Sequence, residues 1–150
     1  MPSTELHRDI EIDAPPEAVW SVLTDTQRYG EWNPFVRSLS GHLTEGSTIE
    51  AQIAPPDGRT MTFKPTVLRA TAARELRWLG RLFVPGIFDG EHRFLIEPLD
   101  GGRSRFIQSE RFSGVLVRLL AGTLRKTAAG FEQMNVALKR EVEARTAALA

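Results

Sequence analysis

From about Val115 to Ala148, the residues Leu120, Leu124, Phe131, Met134, Leu138 and Val142 recur at spacings of three, four and seven, the period of one long amphipathic helix. Roughly 30 residues at 1.5 Å per residue would reach about 45 Å, longer than a small sheet is wide. One end must therefore project or bend, and Gly122 and Gly130 are the expected bend points. The apolar stripe of such a helix has to be buried against another layer, and this requirement governs the reading of everything before it.

What precedes it has a period of two. Leu6, Ile10 and Ile12 share one face of a first strand, with His7, Asp9 and Glu11 on the other and Arg8 interrupting the apolar side. Asp13-Ala-Pro-Pro-Glu then starts a short helix carrying Val19, Trp20, Val22 and Leu23 to about Asp25. Thr26 to Trp32 reads as a second brief helix, stopped by Asn33-Pro34. From Phe35 to Phe112, short alternating runs separated by Gly-, Pro- and Asp-rich turns predict about six or seven antiparallel strands. One run carries Ile49, Ala51 and Ile53, and the next carries Met61, Phe63, Pro65 and Val67, with Pro65 implying an edge or bulge. Later runs align Leu76 with Trp78, His92 with Phe94 and Ile96, and Phe106 with Gln108, Glu110 and Phe112. The predicted architecture is a curved antiparallel sheet wrapped around the final helix, with a space between them.

Composition narrows the function classes. A chain of 150 residues with 41% hydrophobic and 25% charged residues matches one domain, residues 1–150, able to build a core and still leave a cavity. The absence of cysteine excludes thiol chemistry and Cys-ligated metals. With net charge +0 and arginines scattered among acidic residues, the chain has no electrostatic footprint of a nucleic-acid binder. No apolar run suits a signal peptide or a membrane span, so a cytoplasmic protein is expected. Three histidines at unrelated positions give no zinc spacing, and no Gly-rich phosphate loop opens a helix, so neither metal nor cofactor is expected.

The segments IEIDAPPEAVWSVLTD, YGEWNPF, GEHRF, QSERFSG and MNVALKREVE together resemble the START-like helix-grip superfamily, also called SRPBCC, and within it the polyketide cyclase/dehydrase and lipid-transport group. The resemblance spans nearly the whole chain. It implies an α+β helix-grip fold with a deep hydrophobic pocket between sheet and C-terminal helix, and it implies no invariant catalytic residue. One cavity architecture of this kind carries lipid binding, cyclisation, hormone sensing and chaperone-ATPase activation.

The best candidate site lies on the last two strands, joined by Leu99-Asp-Gly-Gly-Arg103. Placing Phe94 opposite Phe106 sets His92 opposite Gln108 with Glu110 diagonal to it, all facing the cavity. A few convergent polar groups in an apolar pocket would orient a ligand. Alternatively Glu110 pairs with an arginine such as Arg8, and His92 is a hydrogen-bonded wall residue. If Glu110 is buried and unpaired, desolvation raises its pKa and makes it a general acid or base, with His92 the other candidate. Ser109 falls on the opposite face, so no Ser-His-acid triad forms. The remaining expected walls are Trp32 at the pocket mouth, Phe35, Phe63, Trp78, Leu124, Phe131, Met134 and Phe83. Phe83 belongs to LFVPGIFDG, a connection too apolar for a simple turn, expected to gate the pocket, plug its mouth or touch a membrane surface together with Leu116, Leu119 and Leu120.

Three functions follow. The favoured one is a carrier or sensor for a hydrophobic small molecule such as a lipid, polyketide or aromatic metabolite. The alternatives are a cyclase or dehydratase-like enzyme using Glu110 or His92 for proton transfer, and a protein-interaction domain. Membrane contact is not favoured, and the sequence does not specify an oligomeric state.

Overall fold

Pro16 opens the first helix at a position where its missing N–H is no loss, and the segments on either side alternate as strands do. The computed structural model describes residues 3–82 and 84–149. In chain order these form β1 (Ser3–Ile12), α1 (Pro16–Thr24), a 3₁₀ turn (Thr26–Arg28), α2 (Tyr29–Trp32), β2 (Val36–Ser40), β3 (Glu50–Ile53), β4 (Met61–Phe63), β5 (Thr66–Thr71), β6 (Glu75–Leu82), β7 (Phe88–Leu99), β8 (Arg103–Ser113), a 3₁₀ turn (Arg118–Leu120) and α3 (Ala121–Leu149).

The strands make two antiparallel sheets, one of five in the order β1-β8-β7-β6-β5 and one of three in the order β2-β3-β4. The division falls at Pro65. Lacking an N–H, it cannot continue a ladder, and it lies between the end of β4 at Phe63 and the start of β5 at Thr66. The sheets stay tied there, with Ile49 N donating to Pro65 O at 2.9 Å and Val67 N to Ser47 O at 2.8 Å. The α+β helix-grip architecture is as expected, and seven of the eight strands, β2 to β8, fall in the stretch after Phe35 where the sequence suggested six or seven.

The β7–β8 register differs from the expected one. Ile96 faces Phe106, Phe94 faces Gln108, and His92 lies directly opposite Glu110. Side-chain alternation correctly sets which residues share a face, but a shift of two residues preserves faces, so the turn chooses between registers. Here Asp100-Gly101-Gly102 forms a three-residue loop with both glycines at positive φ, 79° and 73°, conformations that suit glycine.

Two corrections concern the long helix. It starts at Ala121, because Gly114 at φ 123° turns the chain and residues 115–116 are held to the β6–β7 connection. It also runs unbroken through Gly122 and Gly130. Gly130 serves packing: a Cβ there would overlap the ring of Phe35. That ring meets Phe131 edge-on at 5.6 Å, joining the small sheet to the helix. The buried face of α3, including Leu124, Phe131, Met134, Leu138 and Val142, is the predicted stripe.

Asn33-Pro34 is a corner. The Asn33 side-chain carbonyl accepts hydrogen bonds from Phe35 N at 3.0 Å and Val36 N at 2.9 Å, turning the chain from α2 into β2.

Candidate functional site

The three central strands set their concave-face side chains in rows. Trp78, His92 and Glu110 form one row, from β6 across β7 to β8. In the adjacent row Gly80 lies opposite Gly90, which lies opposite Phe112. Two neighbouring positions without side chains leave the sheet bare, and a cavity of about 90 Å3 opens over them. The small sheet contributes Ile53 and Phe63 to its walls, the corner before β2 contributes Phe35, α3 contributes Leu124 and Thr127, and Phe88 lines it near the β6–β7 connection.

Glu110 is the carboxylate of this cavity. Gly90 makes its place, since a Cβ at residue 90 would overlap Glu110 Oε2. The other oxygen, Oε1, lies 3.0 Å from His92 Nδ1. His92 Nε2 lies 2.9 Å from Gln108 Oε1, and Gln108 Nε2 donates to Asn135 Oδ1 on α3 at 2.9 Å. The result is a polar chain from the cavity across the inner face of the sheet to the helix. It is enclosed by aromatic rings: His92 has Phe94 at 4.5 Å, Phe131 at 5.0 Å and Trp78 at 5.2 Å between centroids. His92, Gln108 and Asn135 are all buried, so the two hydrogen bonds among them are made away from water, where breaking one leaves an unpaired polar group.

The sequence-predicted residues separate into distinct groups. Phe35, Phe63, Trp78, His92, Glu110 and Leu124 line the cavity. Phe94, Phe106, Gln108, Phe131 and Met134 are fully buried beyond it and fill the inner part of the space between sheet and helix. This filling explains why the cavity is small beside the roughly 300–1,000 Å3 of drug-sized ligand pockets. Trp32 is not at the mouth. It packs edge-on against Tyr29 at 5.4 Å and borders a separate surface depression with Arg8, Ile10 and Pro34. Phe83 lies outside the described residues. Arg8 does not reach Glu110; its guanidinium is 3.6 Å from Glu132.

Sequence reasoning missed Gly80, Gly90 and Asn135. The signals were present: glycines within two adjacent strands, and an asparagine four residues after Phe131 on the apolar stripe. Among the described residues, no group of three potential ligands could hold a metal ion. No helix of the described residues is long and apolar enough to cross a membrane.

The fold is shared with solved structures at low identity. An aromatase/cyclase, Zhui from Streptomyces sp. R1128, is 16% identical with a TM-score of 0.78, over 97% of this chain and 96% of that one. A START superfamily protein from Mycobacterium smegmatis is 21% identical with a TM-score of 0.70, over 93% and 97%. Truncated norcoclaurine synthase from Thalictrum flavum is 12% identical with a TM-score of 0.73, over 94% of each chain. No curated protein matches the chain by sequence. The family model described as polyketide cyclase / dehydrase and lipid transport matches residues 3–143, and the chain belongs to that family.

Proposed function

We propose that this chain, acting as one domain, binds a compact hydrophobic small molecule in the cavity over Gly80 and Gly90, as a carrier or sensor. The observation that carries this reading is the bare glycine row, walled by apolar side chains and supplied with a carboxylate at Glu110. Burial of apolar ligand surface gives affinity, at about 25 cal/mol per Å2, and the polar group gives orientation. Phe35, Phe63, Trp78 and Leu124 are the proposed contacts, with Glu110 the anchor. Phe94, Phe106, Gln108, Phe131 and Met134 support them from beneath.

We propose the β6–β7 connection as the gate of this cavity. Pro85 and Gly86 occupy the centre of its turn, with Gly86 at φ 89°. Its attachment is light: Val115 N donates to Gly86 O at 3.2 Å and Leu116 N to Ile87 O at 3.1 Å. Phe88, at its end, stacks on Phe112 at 5.4 Å and would swing with it.

A second reading, proton transfer in a cyclase or dehydratase-like reaction, is favoured by the pairing of Glu110 with His92, which lets a proton pass between carboxylate and imidazole beside a bound molecule. The same fold carries an aromatase/cyclase in Streptomyces. Native mass spectrometry of the purified protein, with solvent extraction of whatever it retains, tests the first reading. A retained or readily taken-up hydrophobe is expected; a protein that takes up none would overturn it. Glu110→Gln separates the two readings, abolishing turnover if Glu110 moves protons and only altering affinity if it anchors.

A further inference from the structure

Resting on the cavity reading above, we infer that the bound molecule carries no anionic group and presents a hydrogen-bond donor, an O–H or N–H, to Glu110 Oε2, and that His92 positions this oxygen without hydrogen-bonding the ligand.

The inference comes from following the hydrogens along the polar chain. Gln108 directs its Nε2 to Asn135 Oδ1, so its carbonyl oxygen is the atom that meets His92 Nε2 at 2.9 Å. An oxygen without hydrogen requires a donor, and Nε2 therefore carries hydrogen. The Nδ1–Oε1 contact at 3.0 Å then holds one further hydrogen. It resides either on Nδ1, facing a carboxylate, or on Oε1, facing a neutral imidazole. In both states Oε2 has lone pairs and no hydrogen. A hydrogen on Oε2 would leave an imidazolium facing an uncharged acid among Trp78, Phe94 and Phe131, a buried charge without its counter-ion. With both amides reversed, Nδ1 keeps the hydrogen, the imidazole is neutral, and Oε2 is again bare with Glu110 as the carboxylate.

Both ring nitrogens of His92 are thus engaged, and the imidazole has no hydrogen-bonding atom to offer a ligand. Oε2 accepts no hydrogen bond from the described residues, and it lies over Gly90 in the cavity floor. No lysine or arginine lines the cavity among the described residues, so nothing there would offset a ligand carboxylate or phosphate beside Glu110. The hydroxyl groups of the lining belong to Thr123 and Thr127; Thr123 is exposed, and Thr127 donates to Thr123 O at 2.9 Å, which places them at the rim. An acceptor-only floor inside an aromatic cavity selects phenols, alcohols and neutral N–H compounds over fatty acids and phospholipids.

Three probes of matched shape test this: p-cresol, p-xylene and p-toluate, each titrated into the protein while the amide resonances of Gly80 and Gly90 are followed by NMR. Binding of p-cresol is expected to be tighter than that of p-xylene by about tenfold or more, since p-xylene leaves Oε2 desolvated and unpaired. No shift is expected with p-toluate. In Glu110→Gln, the amide nitrogen donates to His92 Nδ1 and the amide oxygen faces the cavity, so the preference for p-cresol is retained. In Glu110→Met it is lost, and p-xylene binds as tightly as p-cresol. Equal binding of p-cresol and p-xylene to the wild-type protein, or tight binding of p-toluate, would overturn this inference and leave the cavity reading standing. Failure of all three probes would overturn both.

Discussion

Gly130→Ala and Gly122→Ala are the same substitution in the same helix, and the structure predicts opposite signs for them. By helix propensity alone each should stabilise the protein by up to about 1 kcal/mol. At Gly122 the new Cβ would meet only the end of Arg125 at 3.7 Å, an ordinary contact with a flexible side chain, so the gain is realised. At Gly130 it would fall 2.5 Å from Cε1 and 3.2 Å from Cγ of Phe35, and closer still to Cδ1. Carbon atoms pack at roughly 3.5–4.0 Å, so the ring would have to retreat by about 1 Å. Retreat would push the ring, which is 2% exposed and edge-on against the fully buried Phe131, away from that contact and into the cavity it lines. Overpacking of this kind costs up to about 3 kcal/mol, leaving a net loss of about 2 kcal/mol after the propensity gain. For a chain of this size that lowers the melting temperature by about 4–8 °C, while Gly122→Ala raises it by at most about 2–4 °C. Thermal denaturation followed by circular dichroism measures both. In a Phe35→Leu background, which shortens the opposing side chain, Gly130→Ala should change from destabilising to neutral or better. A rise in melting temperature for Gly130→Ala in the wild-type background would refute the reasoning.

Other outcomes follow from single contacts. Asn33→Ala leaves the buried Phe35 and Val36 amides without their acceptor, a loss of about 2–4 kcal/mol by urea denaturation. Trp32→Ala should lower stability yet leave p-cresol binding within about twofold by NMR titration, because α2 holds this residue away from the cavity. Phe131→Ala, in the middle of the helix–sheet core, should cost about 3–5 kcal/mol in the same denaturation assay. Glu143 is held below the ordinary glutamate range by Lys139 Nζ at 2.6 Å and by the Asp13 amide at 2.8 Å. Its folded-state value being lower than its unfolded one, its contribution is present above the ordinary glutamate pKa and is lost as pH falls through the lowered folded value. Wild-type and Glu143→Gln stability curves should therefore converge on acidification across that window.

The sequence alone determined the order of elements and which residues face inward. Periods of two and 3.6 are local properties of the backbone, so Trp78, His92, Phe94, Phe106, Gln108 and Glu110 could be placed on one face, and Phe131 and Met134 on one helix stripe, from spacing alone. The Asn33-Pro34 corner was equally legible, because an asparagine side chain acts on amides two and three residues away. Tertiary structure decided what depends on distances between segments. Alternation is preserved by a two-residue shift, so only the Asp100-Gly102 loop determined that His92 meets Glu110 directly rather than Gln108. Only the packing of α3 against the sheet brought Asn135 to Gln108, 27 residues away along the chain. The cavity itself is the clearest case. Nothing in the sequence pairs Gly80 with Gly90; they become the floor of a cavity because the β6–β7 ladder lays them side by side, where two absent side chains leave room for the Glu110 carboxylate.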